Sequence, residues 1–242
     1  MARLALIGGH SILDEDPIAG FEPRTVATAS GSVDLHERGD LVLLQRHGRG
    51  EYSTAAGIDH ARNLAALVEA GCERILAIGS VGSLHRELAV GAFVCPDDFI
   101  ALHLGLSLST DHGGELVPGF HAGWRGEVIA SWERLAEPDL RNGGTYWQAI
   151  GPRFETPAEI RMIAAHADVI GMTIASECIL AGELEIPYAA ICAVDNLANG
   201  VAEKRLSVAE FEAGKAQNRE RLVAAMGAVA ADLAAAGSPE TA

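Results

Sequence analysis

The chain predicts an α/β layered fold, and three observations carry that expectation. Short, continuous apolar runs alternate with longer stretches of helical periodicity, the pattern of strands buried on both faces between helices. Glycine-rich or polar turns follow most of the apolar runs, where ligand-binding loops of such folds gather. The 242 residues are 49% hydrophobic and 21% charged, a globular composition with apolar surface enough for a core without disulfide or metal staples.

The elements follow in order. Leu4–Ile7 reads as a buried strand ended by Gly8-Gly9, and Asp40–Gln45 as a second strand running into Arg46-His47-Gly48. Asp59–Ala70 places Ala61, Leu64, Leu67 and Val68 on one face and reads as a helix, closed by Gly71. Arg74–Ile78 is a strand followed by an expected turn, Gly79-Ser80-Val81-Gly82-Ser83. Ala92–Pro96 and Phe99–Leu102 are short extended pieces. His103–Gly123, rich in Gly, Ser, His and Asp, reads as a loop. Glu127–Leu135 looks helical and Thr145–Ile150 strand-like, ending at Gly151-Pro152. Thr156-Pro157-Ala158-Glu159 opens a helix with a Thr cap, Pro at the first position and Glu three residues after the cap. Asp168–Gly171 is a short strand, Ile174–Glu183 a helix, Tyr188–Val194 a buried strand and Val208–Leu233 a long Ala-rich helix. No repeat or interior linker divides the chain. A single domain over residues 1–235 is expected, with a polar tail, 236–242, that frays.

Charge narrows the function. Thirty-three acidic residues against 18 basic ones leave a net charge of −15, against nucleic-acid or acidic-membrane binding. Small anions stay open, because local Arg and backbone N–H groups can outweigh the average field. The four cysteines form no CxxC pair and read as buried, reduced thiols. No apolar run reaches the roughly 20 residues of a membrane span. The N-terminus has one Arg and too short an apolar core for a signal peptide, so a cytoplasmic protein is expected. His103, His112 and His121 lack helical-face ligand spacing, and no metal is expected.

The strand exits hold the chemistry. Gly8-Gly9 lets backbone N–H groups approach a ligand, and Arg46 offers a planar fork for an oxyanion. Ser11, His47, Ser80 and Thr173 add donors, so these residues suit phosphate, although Gly8-Gly9 also suits a plain strand-ending turn. Phe154 either stacks on a planar base or caps the core. Asp195-Asn196 either grips a purine edge or makes an ordinary turn. There is no GxGxxG for a dinucleotide and no GxSxG nucleophile elbow.

Four stretches then align in order: Ile7-Gly8-Gly9; Leu43 to Gly48 with Asp59–Asn63; Val81-Gly82-Ser83-Leu84; and Gly151-Pro152-Arg153-Phe154-Glu155-Thr156 through Ile170-Gly171-Met172-Thr173. Glu177 and the strand Pro187–Val194 continue them. Together they resemble the nucleoside phosphorylase family, in the branch of 5′-methylthioadenosine and purine nucleoside phosphorylases. The likeness covers residues 3 to 235, and its GPRFET…GMT pair is the most specific part. It implies a central mixed sheet flanked by helices and a homo-oligomer, commonly a trimer. It also implies phosphorolysis: phosphate attacks the ribose anomeric carbon as the purine leaves, with phosphate as co-substrate and no metal or redox cofactor.

By the same resemblance Arg46, His47, Gly79 or Ser80, and Thr173 contact phosphate. Met172, beside Gly171, packs under the ribose, Phe154 stacks near the base and Asn196 sits at the purine edge. His10 stands where the family usually has Thr or Ser, with Ser11 next to it. Asn196 stands where relatives acting on 6-aminopurines carry Asp, which favours 6-oxopurines. A one-residue shift of the alignment would put Asp195 at the key position instead. A 5′-methylthioadenosine phosphorylase is the alternative within the family. A nucleoside hydrolase on the same scaffold, with Asp195 or Glu177 activating water, and a degenerate, non-catalytic member that binds nucleosides are the rivals.

Overall fold

A computed structural model describes residues 3–9, 20–48, 53–109, 115–203 and 207–236. Among the described residues, eleven strands form one mixed sheet. At its centre β1 (Arg3–Gly8), β4 (Leu41–Gln45), β5 (Cys72–Ser83) and β11 (Tyr188–Leu197) run parallel in the order β4-β1-β5-β11, so their carboxyl ends share one edge. Their apolar runs are buried because helices cover both faces. On one face α1 (His60–Glu69) and α4 (Ile174–Glu183) pack with Ile7, Leu44, Ile75 and Cys192. On the other, α2 (Ala122–Leu135) and α5 (Val208–Ala235) pack with Leu6, Leu76, Ile78 and Ile191. A third cluster joins α3 (Pro157–Ile163) to Leu84, Ala149 and Ile170.

Local sequence sets several boundaries. Asp59 caps α1 by accepting from Arg62 N at 2.9 Å, and Gly71 follows its end at φ +76°. Thr156 and Glu159 close the expected capping box on α3. The helix α2 begins at Ala122, five residues before the expected Glu127, because His121 Nδ1 accepts from Trp124 N at 3.0 Å. The hairpin of β2 (Glu22–Thr28) and β3 (Gly31–Arg38) was not anticipated. It pairs antiparallel against β4, and of the seven residues of β2 only Val26 is buried, too few for an alternating apolar signal.

The expected turn at Gly79–Ser83 is instead the second half of β5, a correction that matters for the site. This segment stays extended because β11 pairs with it as far as Ser83. On its other edge β5 changes partner. β1 pairs with it up to Ala77, and β10 (Val169–Gly171) joins antiparallel at Gly82 and Ser83. Between them, Ile78 to Val81 face a gap among the described strands. β9 (Thr145–Gln148) and β7 (Asp98–Ile100) continue beyond β10, while β6 (Phe93–Cys95) and β8 (Leu140–Asn142) extend the sheet beyond β11.

All four cysteines are buried with free thiols, and burial pushes Cys72 up to about 12 and Cys95 to about 11. Among the described residues no helix is long and apolar enough to cross a membrane.

Gly214 lets α5 seat on β11: a Cβ there would collide with the Asp195 carbonyl oxygen. Gly214→Ala is expected to destabilise the protein by about 3 kcal/mol, the upper end of overpacking penalties. That outweighs the roughly 1 kcal/mol alanine gains over glycine in a helix. An unchanged urea midpoint would contradict this packing.

Candidate active site

The gap beside β5 opens into a cavity of about 370 Å³, within the range of small-molecule sites. Gly9, Arg46 and His47 reach it from the ends of β1 and β4, Ser80 to Gly82 from β5, and Asn196 from β11. Gly171, Met172 and Thr173 enter from β10 and the start of α4, and Phe154 and Glu155 from the turn before α3. The structure thus gathers on one wall most of the residues singled out from sequence. His10 and Ser11 lie outside the described residues.

Arg46 shapes one end. It is 4% exposed and grips Glu177 through two bonds, Nε to Oε1 at 2.7 Å and Nη2 to Oε2 at 3.1 Å. Its Nη1 donates to Ile78 O at 2.6 Å, so the guanidinium fills the gap that β1 and β10 leave beside β5. Tyr188 Oη donates to Glu177 Oε2 at 2.8 Å. Burial opposes the charge on Arg46, but Glu177 outweighs it and raises the pKa. The expected open fork is therefore turned onto Glu177. Of the five guanidinium hydrogens, one on Nη1 has no acceptor among the described residues. A Cβ on Gly9 would lie 3.3 Å from Nη1 and 3.7 Å from His47 Nε2, which puts both groups behind Gly9. His47 Nδ1 is within 2.8 Å of Ser53 O.

Two further donors border this end. Thr173 precedes α4, and its hydroxyl makes no capping bond. The N-terminus of a helix favours anions. In β5, strand alternation sends the backbone groups of even-numbered residues toward the gap: Ile78 O accepts from Arg46, and Leu84 N donates to Asp168 O at 3.0 Å. Ser80 shares that parity, so its N–H points the same way. Gly79 does not line the cavity; it packs against Ile174 and Cys192, where a Cβ would come within 3.1–3.2 Å of their side chains.

The other end is aromatic and amide-lined. Phe154 is 36% exposed and meets the Phe211 ring edge-on, centroids 5.7 Å apart. Phe211, Glu212 and Lys215 come from the first turns of α5. Lys215 sits over the Phe211 ring at 4.8 Å and pairs with Glu212 at 2.9 Å. Asn196 is buried and lines the cavity, and a Cβ on Gly82 would lie 3.0 Å from its Nδ2, a tight contact that would press on the Asn196 amide. Burial raises the Glu155 carboxyl above its ordinary value.

Asp195, expected as an alternative to Asn196 at the purine edge, faces elsewhere. It is 2% exposed and does not line the cavity; it accepts from Ser80 Oγ and, at 2.7 Å, from Asn218 Nδ2. A register shift in β11 between Val194 and Asn196 separates the two neighbours. Sequence reading gave no role to Phe211, Lys215 or Glu155. The first two lie on a helix far along the chain, whereas Glu155 stood inside a recognised motif.

A twisted α/β sheet with a polar and aromatic cavity at its strand ends defines a small-molecule site of the enzyme type. The chain belongs to the phosphorylase superfamily, whose profile matches residues 4–231. It is 36% identical over 228 residues to a 6-oxopurine nucleoside phosphorylase of Pyrococcus furiosus, covering 87% of this chain and 85% of that one. It is 36% identical over 208 residues to an S-methyl-5′-thioadenosine phosphorylase of Rhodospirillum rubrum, covering 79% and 69%. A methylthioadenosine phosphorylase from Schistosoma mansoni, solved with adenine, shares the fold with a TM-score of 0.83 at 24% identity, over 97% of this chain and 93% of that one.

The ion pair sets two expectations. Glu177→Gln leaves the buried Arg46 charge uncompensated and should cost about 3–5 kcal/mol in denaturant unfolding. His60 approaches Glu177 at 3.8 Å, and burial holds its pKa below the ordinary 6.5. The unfolded chain therefore takes up this proton first, so stability should fall as pH drops below about 6.5 toward the folded-state value. His60→Asn should flatten that slope in unfolding curves between pH 8 and 5.5; an unaltered slope would assign it to other groups.

Proposed function

We propose that the protein catalyses phosphorolysis of a purine nucleoside or its 5′-methylthio analogue, with 6-oxopurines preferred. Phosphate occupies the end formed by Gly9, the Nη1 hydrogen of Arg46 that has no acceptor among the described residues, His47, the Ser80 N–H and the Thr173 hydroxyl. The sugar rests on Met172, and the base lies against Phe154, with the Phe211 edge beside it. A phosphate oxygen attacks C1′ as the C1′–N9 bond breaks, and the bonding electrons pass to the purine. The oxocarbenium-like sugar is stabilised by the anion, and charge gathering on the purine is met by a hydrogen bond at N7.

The observation that carries the base preference is Asn196 on the wall with Asp195 turned away. An amide can donate to O6 and accept from a protonated N7. Glu155, which also lines the cavity, offers an acceptor for the N1–H that a 6-oxopurine presents and adenine lacks. The hydrolase reading is weakened because both carboxylates it needs are engaged elsewhere, Asp195 with Ser80 and Asn218, and Glu177 with Arg46 and Tyr188.

The chemistry calls for phosphate as co-substrate and for no metal or redox cofactor. In the same reading the enzyme is a cytoplasmic homotrimer. Support for an association of copies comes from bare apolar side chains in the long loop, Leu102 at 84% and Val117 at 97% exposure.

The test is base release from inosine, guanosine, adenosine, methylthioinosine and methylthioadenosine, each with and without phosphate. Hypoxanthine or guanine released only with phosphate is the expected result; release without phosphate would make the enzyme a hydrolase. Asn196→Asp should shift preference toward 6-amino nucleosides by about 1–3 kcal/mol, the scale of a mismatched buried hydrogen-bonding group. An unchanged inosine-to-adenosine ratio would remove Asn196 as the selector.

A further inference from the structure

Ser80 lines the cavity, and its hydroxyl proton is already spoken for. Ser80 Oγ donates to Asp195 Oδ2. The other carboxylate oxygen accepts from Asn218 Nδ2 at 2.7 Å, and the same amide nitrogen donates to Val194 O at 2.9 Å. Both amide hydrogens of Asn218 are thereby used. Turning the amide over would set its oxygen against two acceptors, so its orientation is fixed. Asp195 receives a donor on each oxygen, the pattern of a carboxylate, and so takes the serine proton rather than offering one. Asp195 and Asn218 are 2% and 1% exposed, so bulk solvent does not compete for these bonds.

A serine hydroxyl has one hydrogen and two lone pairs. With the hydrogen held by Asp195, only lone pairs remain for the cavity. A phosphate anion presents acceptors and is repelled by them, whereas a sugar hydroxyl presents a donor. We infer that Asp195 and Asn218 are positioning residues that hold the Ser80 side chain as an acceptor for a ribose hydroxyl of the nucleoside. The inference rests on the nucleoside reading above and deepens it. It moves the Ser80 side chain from phosphate to sugar, and leaves only the Ser80 backbone N–H on the phosphate side.

Wild type, Ser80→Ala and Asp195→Asn should be compared on inosine, 2′-deoxyinosine and 3′-deoxyinosine, with KM and kcat measured for nucleoside and for phosphate. Ser80→Ala should raise the KM for inosine about three- to tenfold, the scale of one hydrogen bond. The KM for phosphate should stay within about twofold. The defect should vanish on whichever deoxy analogue lacks the hydroxyl that Ser80 receives. Asp195→Asn can turn its amide nitrogen toward Ser80 and free the serine proton, so it should show the same nucleoside-selective loss. If Asp195→Asn does not fold, Ser80→Ala, which keeps the Asp195–Asn218 bond, carries the test alone. A raised KM for phosphate with that for inosine unchanged would overturn the inference, as would an equal defect on all three nucleosides. Should wild type release no base from any nucleoside, the function reading fails, and calorimetric binding of the same three nucleosides to wild type and Ser80→Ala replaces the kinetics. Weaker inosine binding in Ser80→Ala, with one deoxy analogue unaffected, would sustain the inference; no inosine binding to wild type would overturn both.

Discussion

The buried pair of Arg46 and Glu177 is the interaction on which the site depends. It ties the end of β4 to the first turn of α4 across 131 residues of chain, and its Nη1 contact with Ile78 O satisfies a carbonyl at the sheet's change of partner. Two charges this deep repay their desolvation only if each polar atom has a partner. Here Tyr188 and the carbonyls of Ile7 and Ile78 give every polar atom of the pair a partner, with one Nη1 hydrogen left over among the described residues. The pair therefore stabilises a gap in a sheet that would otherwise close or collapse, and the gap is where the ligand fits.

A division of labour follows from the same geometry. The end of the cavity at Arg46 is built largely from rigid groups: glycine backbone, a pinned guanidinium and a strand N–H. The end at Phe154 is built from side chains on a turn and on the first turns of α5. Preorganised donors cost little reorganisation when charge develops beside them.

Much of this was legible in the sequence where the determinants are local. The capping box at Thr156 and Glu159, the Asp59 cap and the buried strand at Tyr188 depend on neighbours a few residues away. The motif residues at the strand exits were legible as a group, because parallel strands bring their carboxyl ends to one edge. What was not legible is non-local. Glycine and serine made Gly79–Ser83 look like a turn, and only pairing with β11 keeps it extended. Whether Asp195 or Asn196 faces the ligand hung on a one-residue register shift in β11. Arg46 looked like a free cation because its partner stands on another element, and Phe211 reaches the cavity only because Gly214 lets α5 lie against β11.

The helix α5 serves two ends of the molecule with separate sets of residues. Phe211, Glu212 and Lys215 line the cavity, whereas Leu222, Met226, Val229 and Leu233 are held in the core, and Arg74 anchors the far end through Leu233 O at 2.7 Å. Substitutions in the first two turns can thus remodel the ligand's surroundings while the last four turns keep the helix in place. The exception is Gly214, whose missing side chain lets those first turns lie against β11, so the freedom belongs to the positions that face the cavity and not to the whole segment.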